Sequence, residues 1–446
     1  MITTILPLPF LHLQPVMYLY APHTSPRLAY IAHWLGLQLF KKPLVIVTDK
    51  DLLKDGWILN YSHEPLPMES FWIKPHSLLF ETGIEEQDIN VKSNNKLPYF
   101  FETQGDFHFD VLAASFYLIQ RYEEYLPHTK DTYGRYAHEH SLAFKNQFLH
   151  VPLVDVWLED FKKACLQKLP ATSYFQQDGF RFLPTYDIDV AYSYRGKGQL
   201  RSLLRGLRTM GRDPWVKIRK DIANGKQKDP FDIYEDLDSL HATYKLQPIY
   251  FFLVAQKQKG YDRNIDPATA EMQELIALTA KKNLVGVHPS WQSGDHETIL
   301  QQEIQTIATI LDQTIKKSRQ HYIRMQLPVT FQRLVRLGIQ EDYSMGYGSI
   351  NGFRASTCKP YTWYDLTTEQ HTMLTIFPYC YMEANSMFEQ KFSPAEALKE
   401  FTTYYKATKE VGGMLITIFH NHLLGYDERG RKWMDMYKAA LEVCKS

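Results

Sequence analysis

The chain has 446 residues, 44% hydrophobic and 22% charged, with 50 basic and 50 acidic side chains and a formal net charge of +0. That length fits two or three domains with ample apolar residues for their cores, and the balanced charge argues against a general affinity for nucleic acid. Four scattered cysteines, Cys165, Cys358, Cys380 and Cys444, show no C-x-x-C spacing, which argues against a cysteine zinc site or a disulfide framework and suits a reducing compartment.

In chain order, the apolar stretch from Ile2 to Tyr20 lacks a basic leader and is broken by Pro7, Pro9 and Pro15. A secretory signal is therefore not expected, no run reaches membrane-span length, and a cytoplasmic protein is the expectation. Val16 to Tyr20 reads as a strand, Arg27 to Phe40 as a helix and Pro43 to Thr48 as a buried strand. Asp110 is the expected N-cap of a helix from Val111 to about Tyr125, which Pro127 ends. The polar stretch His128–His150 reads as loop. It carries His128, Asp131, His138 and His140, which could form a metal site but more often sit at a surface. A helix is expected over Val154–Leu169. The turn-rich segment Pro170–Gly179 then reads as a linker, which places a boundary near residue 175 between a smaller N-terminal α/β domain, 1–175, and a larger one, 176–446.

Beyond the linker, strand and helix signals alternate. Strands are expected at Phe182–Val190, Pro248–Val254, Leu284–His288, His321–Met325, Leu374–Pro378 and Met414–His420. Asp229-Pro230 reads as an N-cap with Pro at the first helical position, and residues 295–317 as another helix. Such alternation predicts a parallel α/β sheet or barrel, whose chemistry sits at the C-terminal strand ends. From Arg195 to Lys228 there are eleven Lys and Arg against two Asp. That run is either a solvated helical face or a contact for an anionic, phosphate-linked substrate.

The chemistry-bearing residues gather at those strand ends. In Pro184-Thr-Tyr-Asp-Ile-Asp-Val190, Asp187 and Asp189 are two residues apart and so share one face of an extended strand. Two carboxylates on one face are costly unless a cation or a proton separates them, so a metal beside a general base would explain the pair. Leu284-Val-Gly-Val-His-Pro-Ser290 ends in His288, which would supply a second ligand, and Arg324 and His420 lie at or near further strand ends. Ser290 has no Gly-x-Ser-x-Gly elbow around it and is not expected to be a nucleophile.

Thr185-Tyr-Asp-Ile-Asp189, Gly286-Val-His-Pro-Ser290, Tyr322-Ile-Arg324, Asp342-Tyr-Ser-Met-Gly-Tyr347 and Leu415-Ile-Thr-Ile-Phe-His420 follow the order of motifs in polysaccharide deacetylases, carbohydrate esterase family 4. The chain resembles a bacterial two-domain subgroup with an uncharacterised N-terminal domain, through stretches such as Arg121-Tyr-Glu-Glu-Tyr-Leu-Pro127 and Gly352-Phe-Arg-Ala355. The resemblance implies a distorted (β/α) barrel that removes acetyl groups from N- or O-acetylated sugars with a divalent metal, zinc first and cobalt or nickel as alternatives. It implies Asp187 as general base, Asp189 and His288 as metal ligands and His420 as the acid that protonates the leaving group. Arg324 would orient the base, with Arg354 as the competitor for that role. One position departs from the pattern: where the family has a second histidine at i+4 from His288, this chain has Gln292. A carboxamide is a poor zinc ligand beside imidazole, so Gln292 would bind weakly or His296, His321 or His422 would replace it. Strand parity favours His422, which matches His420, and disfavours His321.

The expected substrate is an acetylated carbohydrate, with a cell-surface or capsular polysaccharide precursor fitting a cytoplasmic enzyme. Two alternatives stand beside it: a catalytically impaired barrel that binds glycan or a synthesis partner, which Gln292 favours, and a different C–N hydrolase acting on a small cyclic amide. Oligomeric state is not legible in the sequence.

Overall fold

The computed structural model describes residues 16–54, 56–94, 97–169, 175–176, 178–196 and 214–445. They group into two compact units that interleave along the chain: the described residues of Met1–Thr82, Tyr99–Ala114 and Leu158–Gln177, and those of Gly83–Pro98, Ser115–Trp157 and Asp178–Ser446. Residues 83–98 and 115–157 thus belong with the larger unit. Among the described residues, no helix is long and apolar enough to cross a membrane.

The smaller unit is built on four parallel strands in the order β2-β1-β3-β4, with β1 Met17–Tyr20, β2 Val45–Val47, β3 Trp57–Tyr61 and β4 Phe71–Ile73. The connection from β1 to β2 is the helix Pro26–Phe40, started by Ser25, whose hydroxyl accepts from Leu28 N, and by Pro at the first helical position. Asp110 does cap the next helix, accepting from Leu112 N at 3.1 Å and Ala113 N at 3.0 Å, and it also accepts from Tyr61 Oη at 2.6 Å. That helix stops at Ile119, short of Tyr125, and Arg121 just beyond it takes a left-handed backbone, φ 53°.

A short ribbon pairs β5, Lys92–Asn94, with β6, Leu97–Tyr99. The larger unit carries a nine-stranded sheet. Its strands are β7 Arg181–Ile188, β8 Ile249–Phe252, β9 Leu284–Val287, β10 Lys317–Ser318, β11 Glu341–Asp342, β12 Tyr361–Asp365, β13 Gln370–Ile376, β14 Tyr381–Met382 and β15 Met414–His420. The order is β12-β13-β11-β10-β9-β8-β7-β15-β14, parallel throughout except for the antiparallel pair β12–β13. The α/β alternation read from the sequence is present. The ladders among the described residues leave β12 and β14 as edges and do not close a ring. The sheet nevertheless curls: Ile249 and Phe251 of β8, Tyr343 after β11, Met382 of β14 and Ile416 and Ile418 of β15 share one buried cluster. Strands that far apart in the order can share a core only if the sheet bends round it.

Period-2 alternation decides what faces that interior. On β7, Leu183 packs against the enclosed cluster, while Tyr186 points outward to helices, its hydroxyl meeting His241 Nε2 at 2.8 Å and Tyr437 Oη at 2.5 Å. The register sets His420 beside Asp187 and Asp187 beside Phe251, with Gly286 next in the row. Gly286 is required by packing: a Cβ there would lie 2.6 Å from Phe251 Cε1 and 2.9 Å from the Lys317 carbonyl oxygen.

Two local expectations fail. His321–Met325 is not a strand; β10 is Lys317–Ser318, and His321–Ile323 is a tight turn in which Tyr322 has φ 58° and Ile323 φ 54°. Asp229 does not start a helix at Pro230. The helix runs from Tyr234 to Tyr244, and the Asp229 carboxylate instead accepts from the backbone N–H groups of Ser193, Tyr194 and Arg195 at 2.8, 2.7 and 3.0 Å, clamping the loop after β7. Half of the basic run, residues 197–213, lies outside the described residues.

Candidate metal centre

The site lies at the C-terminal ends of β7, β9, β10 and β15, within the larger unit. Asp187 is the penultimate residue of β7, and Asp189 follows its end. His288 follows β9, and its Nε2 lies 3.1 Å from Asp189 Oδ1 and 3.6 Å from Asp187 Oδ2. His321 Nε2 and His420 Nε2 each lie 3.6 Å from Asp189 Oδ2. Asp189, His288 and His321 can each offer one ligand atom, all within 4.8 Å of one another.

Hydrogen bonds behind the imidazoles fix which nitrogen each ring presents. His288 Nδ1 is held 2.5 Å from the Arg319 carbonyl oxygen, and His321 Nδ1 lies 3.0 Å from Asp262 Oδ1. Both Nε2 atoms are thereby left facing Asp189, the arrangement in which a metal-ligating imidazole is oriented by a carboxylate or carbonyl behind it. Asp189 Oδ1 is buried and makes no directed hydrogen bond despite its 3.1 Å approach to His288. A buried carboxylate oxygen without a hydrogen bond, on a side chain flanked by imidazole nitrogens, fits a divalent cation, and one carboxylate with two imidazoles suits zinc. Burial opposes the charge of Asp189, but the imidazoles of His321, His288 and His420 outweigh it and hold the carboxyl well below its ordinary range. Burial likewise opposes a charged His321, yet Asp189 and Asp262 raise it to about 9.

Asp187 is buried and faces Arg319, whose Nη1 donates to Oδ1 at 3.0 Å. The same Nη1 contacts Thr185 Oγ1 at 2.5 Å, and Nε donates to the Tyr343 carbonyl oxygen at 3.0 Å. The guanidinium also lies over the Phe251 ring at 4.5 Å. This arginine is the partner of Asp187, and neither arginine singled out in the sequence takes that place. Arg324 forks onto Asp295 at 2.9 and 2.8 Å and lies over Trp291, because the turn at Tyr322–Ile323 carries it away from the strand row. Arg354 is buried against Glu124, with bonds of 2.8 and 2.5 Å.

His420 ends β15 in register with Asp187. Its Nδ1 is 3.0 and 3.2 Å from the two carboxylate oxygens of Glu383, a fully buried residue whose Oε1 also accepts from the His420 backbone N–H. Burial opposes protonation, but Glu383 and then Asp189 and Asp187 raise His420 to about 10. Its Nε2–H therefore faces the site as a charged donor.

The remaining candidates are placed differently. Gln292 points away: its amide donates to the Lys257 carbonyl oxygen at 2.8 Å and to Asp262 at 3.0 Å. His422 lines the cleft beside His420, 5.5 Å between ring centroids, and desolvation with the neighbouring charge of His420 pushes it down to about 4. Its Nδ1 has no hydrogen-bond partner, and it is not in the group that could share an ion. His296 precedes the helix Glu297–Leu311 as an exposed residue. Among the described residues, the N-terminal histidines form no metal-competent cluster. His138 contacts Ser349 Oγ, His128 the Leu126 carbonyl oxygen, and Asp131 pairs with Arg135 at 2.6 Å.

Above these groups opens a cleft of about 290 Å³, lined by the Asp and His residues and by Tyr133, Arg135, Tyr322, Met382, Asn385 and Phe388. One wall, Asn385–Glu389, is a single π-helical turn, a local widening often found at functional sites. Sequence reasoning missed Arg319, Glu383 and Asp262, and named His321 only as an alternative that strand parity disfavoured.

Residues 17–170 match a family model described as "Family of unknown function (DUF7033)". No curated protein matches the chain. Among solved structures, a protein from Mycobacterium smegmatis assigned as a polysaccharide deacetylase is similar at 13% identity and TM-score 0.38, over 60% of this chain and 85% of that one. The PuuE allantoinase is similar at 12% identity and TM-score 0.39, over 60% and 84%. A protein from Pseudomonas aeruginosa PAO1 assigned as a polysaccharide deacetylase is similar at 12% identity and TM-score 0.37, over 59% and 83%. At these scores the likeness adds nothing to the geometry, which stands by itself.

Proposed function

We propose that this protein is a metal-dependent hydrolase that removes acetyl groups from acetylated sugars of a cell-surface polysaccharide or its precursor. The observation that carries the reading is the convergence of Asp189, His288 and His321 beside two buried charge pairs, Asp187–Arg319 and His420–Glu383. A divalent cation held by Asp189, His288 and His321, zinc in this reading, would acidify a water and polarise the acetyl carbonyl. Asp187, oriented by Arg319, would take the proton of the attacking water as its oxygen reaches the acetyl carbon. His420, charged through Glu383, gives its proton to the departing amine or alkoxide as the C–N or C–O bond breaks, and acetate leaves.

The binding-only alternative drew its support from Gln292, and that residue is engaged elsewhere. A reducing compartment, and hence the cytoplasm, is supported by four cysteines that are all free thiols. In this reading residues 176–446 carry the deacetylase groups, with residues 83–98 and 115–157 of the preceding 1–175 packed in the same unit.

The test is elemental analysis of wild type and of Asp189→Ala, His288→Ala and His321→Ala, followed by acetate release from a panel of N- and O-acetylated oligosaccharides. About one equivalent of zinc, lost in each variant, with metal-dependent acetate release, is the expected result. Absence of metal from wild type after growth with added zinc sinks the proposal.

A further inference from the structure

The 115–157 segment, which precedes the sheet of the larger unit, brings a guanidinium to the metal cleft. Asp131–Arg135 is a tight turn. The Asp131 N–H donates to the Arg135 carbonyl oxygen at 2.8 Å, and Gly134 takes φ 75°. Asp131 Oδ1 accepts from the backbone N–H groups of Tyr133 and Arg135, each at 2.9 Å. The turn belongs to the same compact unit as the metal site, and Arg135 lines the cleft together with Asp187, Asp189 and His420. Its side chain is only 6% exposed.

A charge so deeply placed is normally matched donor by donor. Two of the three guanidinium nitrogens are matched: Nε donates to Asp131 Oδ2 at 2.6 Å and Nη1 to the Tyr322 carbonyl oxygen at 2.9 Å. The Tyr133 ring covers the guanidinium, with its centroid 4.7 Å from Cζ. Gly348 leaves the group its space, since a Cβ there would strike Arg135 Nη1. The third nitrogen, Nη2, makes no hydrogen bond to the described residues, and it is not among the unpartnered atoms that protein encloses. The group is thus fixed through Nε and Nη1 and still holds two N–H donors at Nη2 for an acceptor within the cleft.

We infer that Arg135 recognises a carboxylate on the acetylated sugar, so that the substrate is an acidic glycan containing uronic or aminuronic acid units. The inference rests on the hydrolase reading of the cleft and adds the charge of its substrate. A hydrogen bond from a guanidinium to a carboxylate is roughly twice as strong as a neutral one, and the two planar groups match in shape. The protein's own carboxylate answers the charge only in part, because Asp131 divides its oxygens between the guanidinium and two backbone N–H groups. Among the described residues that line the cleft, Arg135 is the one arginine and no lysine accompanies it. One guanidinium matches the single charge of a carboxylate better than the nearly double charge of a phosphate.

The experiment measures calorimetric binding and steady-state acetate release on the full-length protein, as wild type, Arg135→Gln and Arg135→Lys. The probes are the tetramer of N-acetylglucosamine, its C6-carboxylate form and its 6-phosphate, and O-acetylated xylotetraose against O-acetylated tetraglucuronate. Metal content and circular dichroism check the fold. In wild type the carboxylate member of at least one pair exceeds its neutral partner by about tenfold or more in affinity and kcat/KM. That ratio falls towards unity in Arg135→Gln and several-fold in Arg135→Lys, which keeps the charge without the planar fork. Arg135→Gln also releases the Tyr322 carbonyl, but that loss falls on both members of a pair, so the ratio reads the carboxylate. If Arg135→Gln does not fold, an undiminished ratio in Arg135→Lys overturns the inference. It is equally overturned by equal handling of both members in wild type, by a preference that persists in Arg135→Gln, by a 6-phosphate preferred to the carboxylate, or by no binding of any probe. A binding preference lost in Arg135→Gln, with no acetate released from any probe, keeps the carboxylate assignment and removes the hydrolase reading. Acetate release without a preference does the reverse.

Discussion

His321 Nε2 stands 3.6 Å from Asp189 Oδ2, and Asp262 fixes the other face of the same ring at 3.0 Å. Asp262 also accepts from the backbone N–H of Trp291 at 2.8 Å and from the Gln292 amide at 3.0 Å. One carboxylate thus places an imidazole at the site and holds Gln292 away from it.

Metal retention should follow that division. Asp189→Ala, His288→Ala and His321→Ala are expected to abolish stable metal binding, and Gln292→Ala to retain it. Asp262→Asn should weaken affinity by about 10–100-fold, the usual cost of losing an orienting partner of a ligand. Competition with a chromophoric chelator measures all five. Full metal content in His321→Ala would refute this ligand set.

The two arginines should separate by kinetics. Arg319→Lys shortens the fork that orients Asp187 and should lower kcat by about 100-fold, as a misplacement near 1 Å can, with metal content unchanged. Arg324 pairs with Asp295, whose side chain is 59% exposed. Arg324→Ala should therefore shift stability by less than about 1 kcal/mol. Equal kinetic losses in both variants would show that the Arg319–Asp187 contact has no special role.

Glu383→Gln removes the charge that keeps His420 protonated. We expect kcat to fall by about 10²–10⁴-fold, the range attached to a general acid, while metal content stays at the wild-type level. Steady-state kinetics with parallel elemental analysis decides this, and unchanged kcat would remove His420 from the proton-donor role.

The buried pair Arg354–Glu124 gives a pH prediction. Burial would raise Glu124, but Arg354 and Arg121 outweigh it and lower the carboxyl from 4.5 to about 2. A carboxyl depressed on folding contributes stability that is fully present above its unfolded value and lost as pH falls through the folded one. Wild type should therefore lose stability between pH 4.5 and about 2 through this group, and Glu124→Gln should lack that portion of the slope. At neutral pH the substitution leaves the buried Arg354 guanidinium without its carboxylate, while Arg121 keeps Glu123, and should cost about 3–5 kcal/mol. Urea titrations across that pH range measure both, and parallel pH curves for the two proteins would contradict the assignment.

Gly286→Ala would drive a Cβ to 2.6 Å from the Phe251 ring, under which the metal-site strands pack. A loss of about 1–3 kcal/mol in unfolding free energy is expected, as for other overpacked cores. A thermal midpoint equal to wild type would show that Phe251 moves aside freely.

What could be read directly was whatever depends on local period and strand ends. The strand β15, Met414–His420, appears at its expected bounds, and β7 falls within one or two residues of its own. Asp187, Asp189, His288 and His420 meet because each sits at the C-terminal end of a neighbouring parallel strand, a relation that alternation of strand and helix already implies. Arg319 and His321 obey the same rule, at the end of β10. Arg319 was passed over and His321 ranked behind His422 because that strand is two residues long and the reading placed a strand at 321–325 instead. Parity then turned His321 to the wrong face and advanced Arg324.

The sequence by itself determined the class of fold, the carboxylate pair and two of its histidine neighbours, since these follow from side-chain period along single strands. Only the tertiary structure decided the third imidazole, the arginine that holds Asp187, and the pairing of Glu383 with His420. Each of those depends on where a turn sends the chain after its strand. The left-handed turn at Tyr322–Ile323 carries Arg324 out of the site, and the curl of the sheet sets residues 321 and 189 within reach of each other. No local pattern encodes a contact between residues that distant in sequence; it exists because the enclosed core leaves their side chains one shared space.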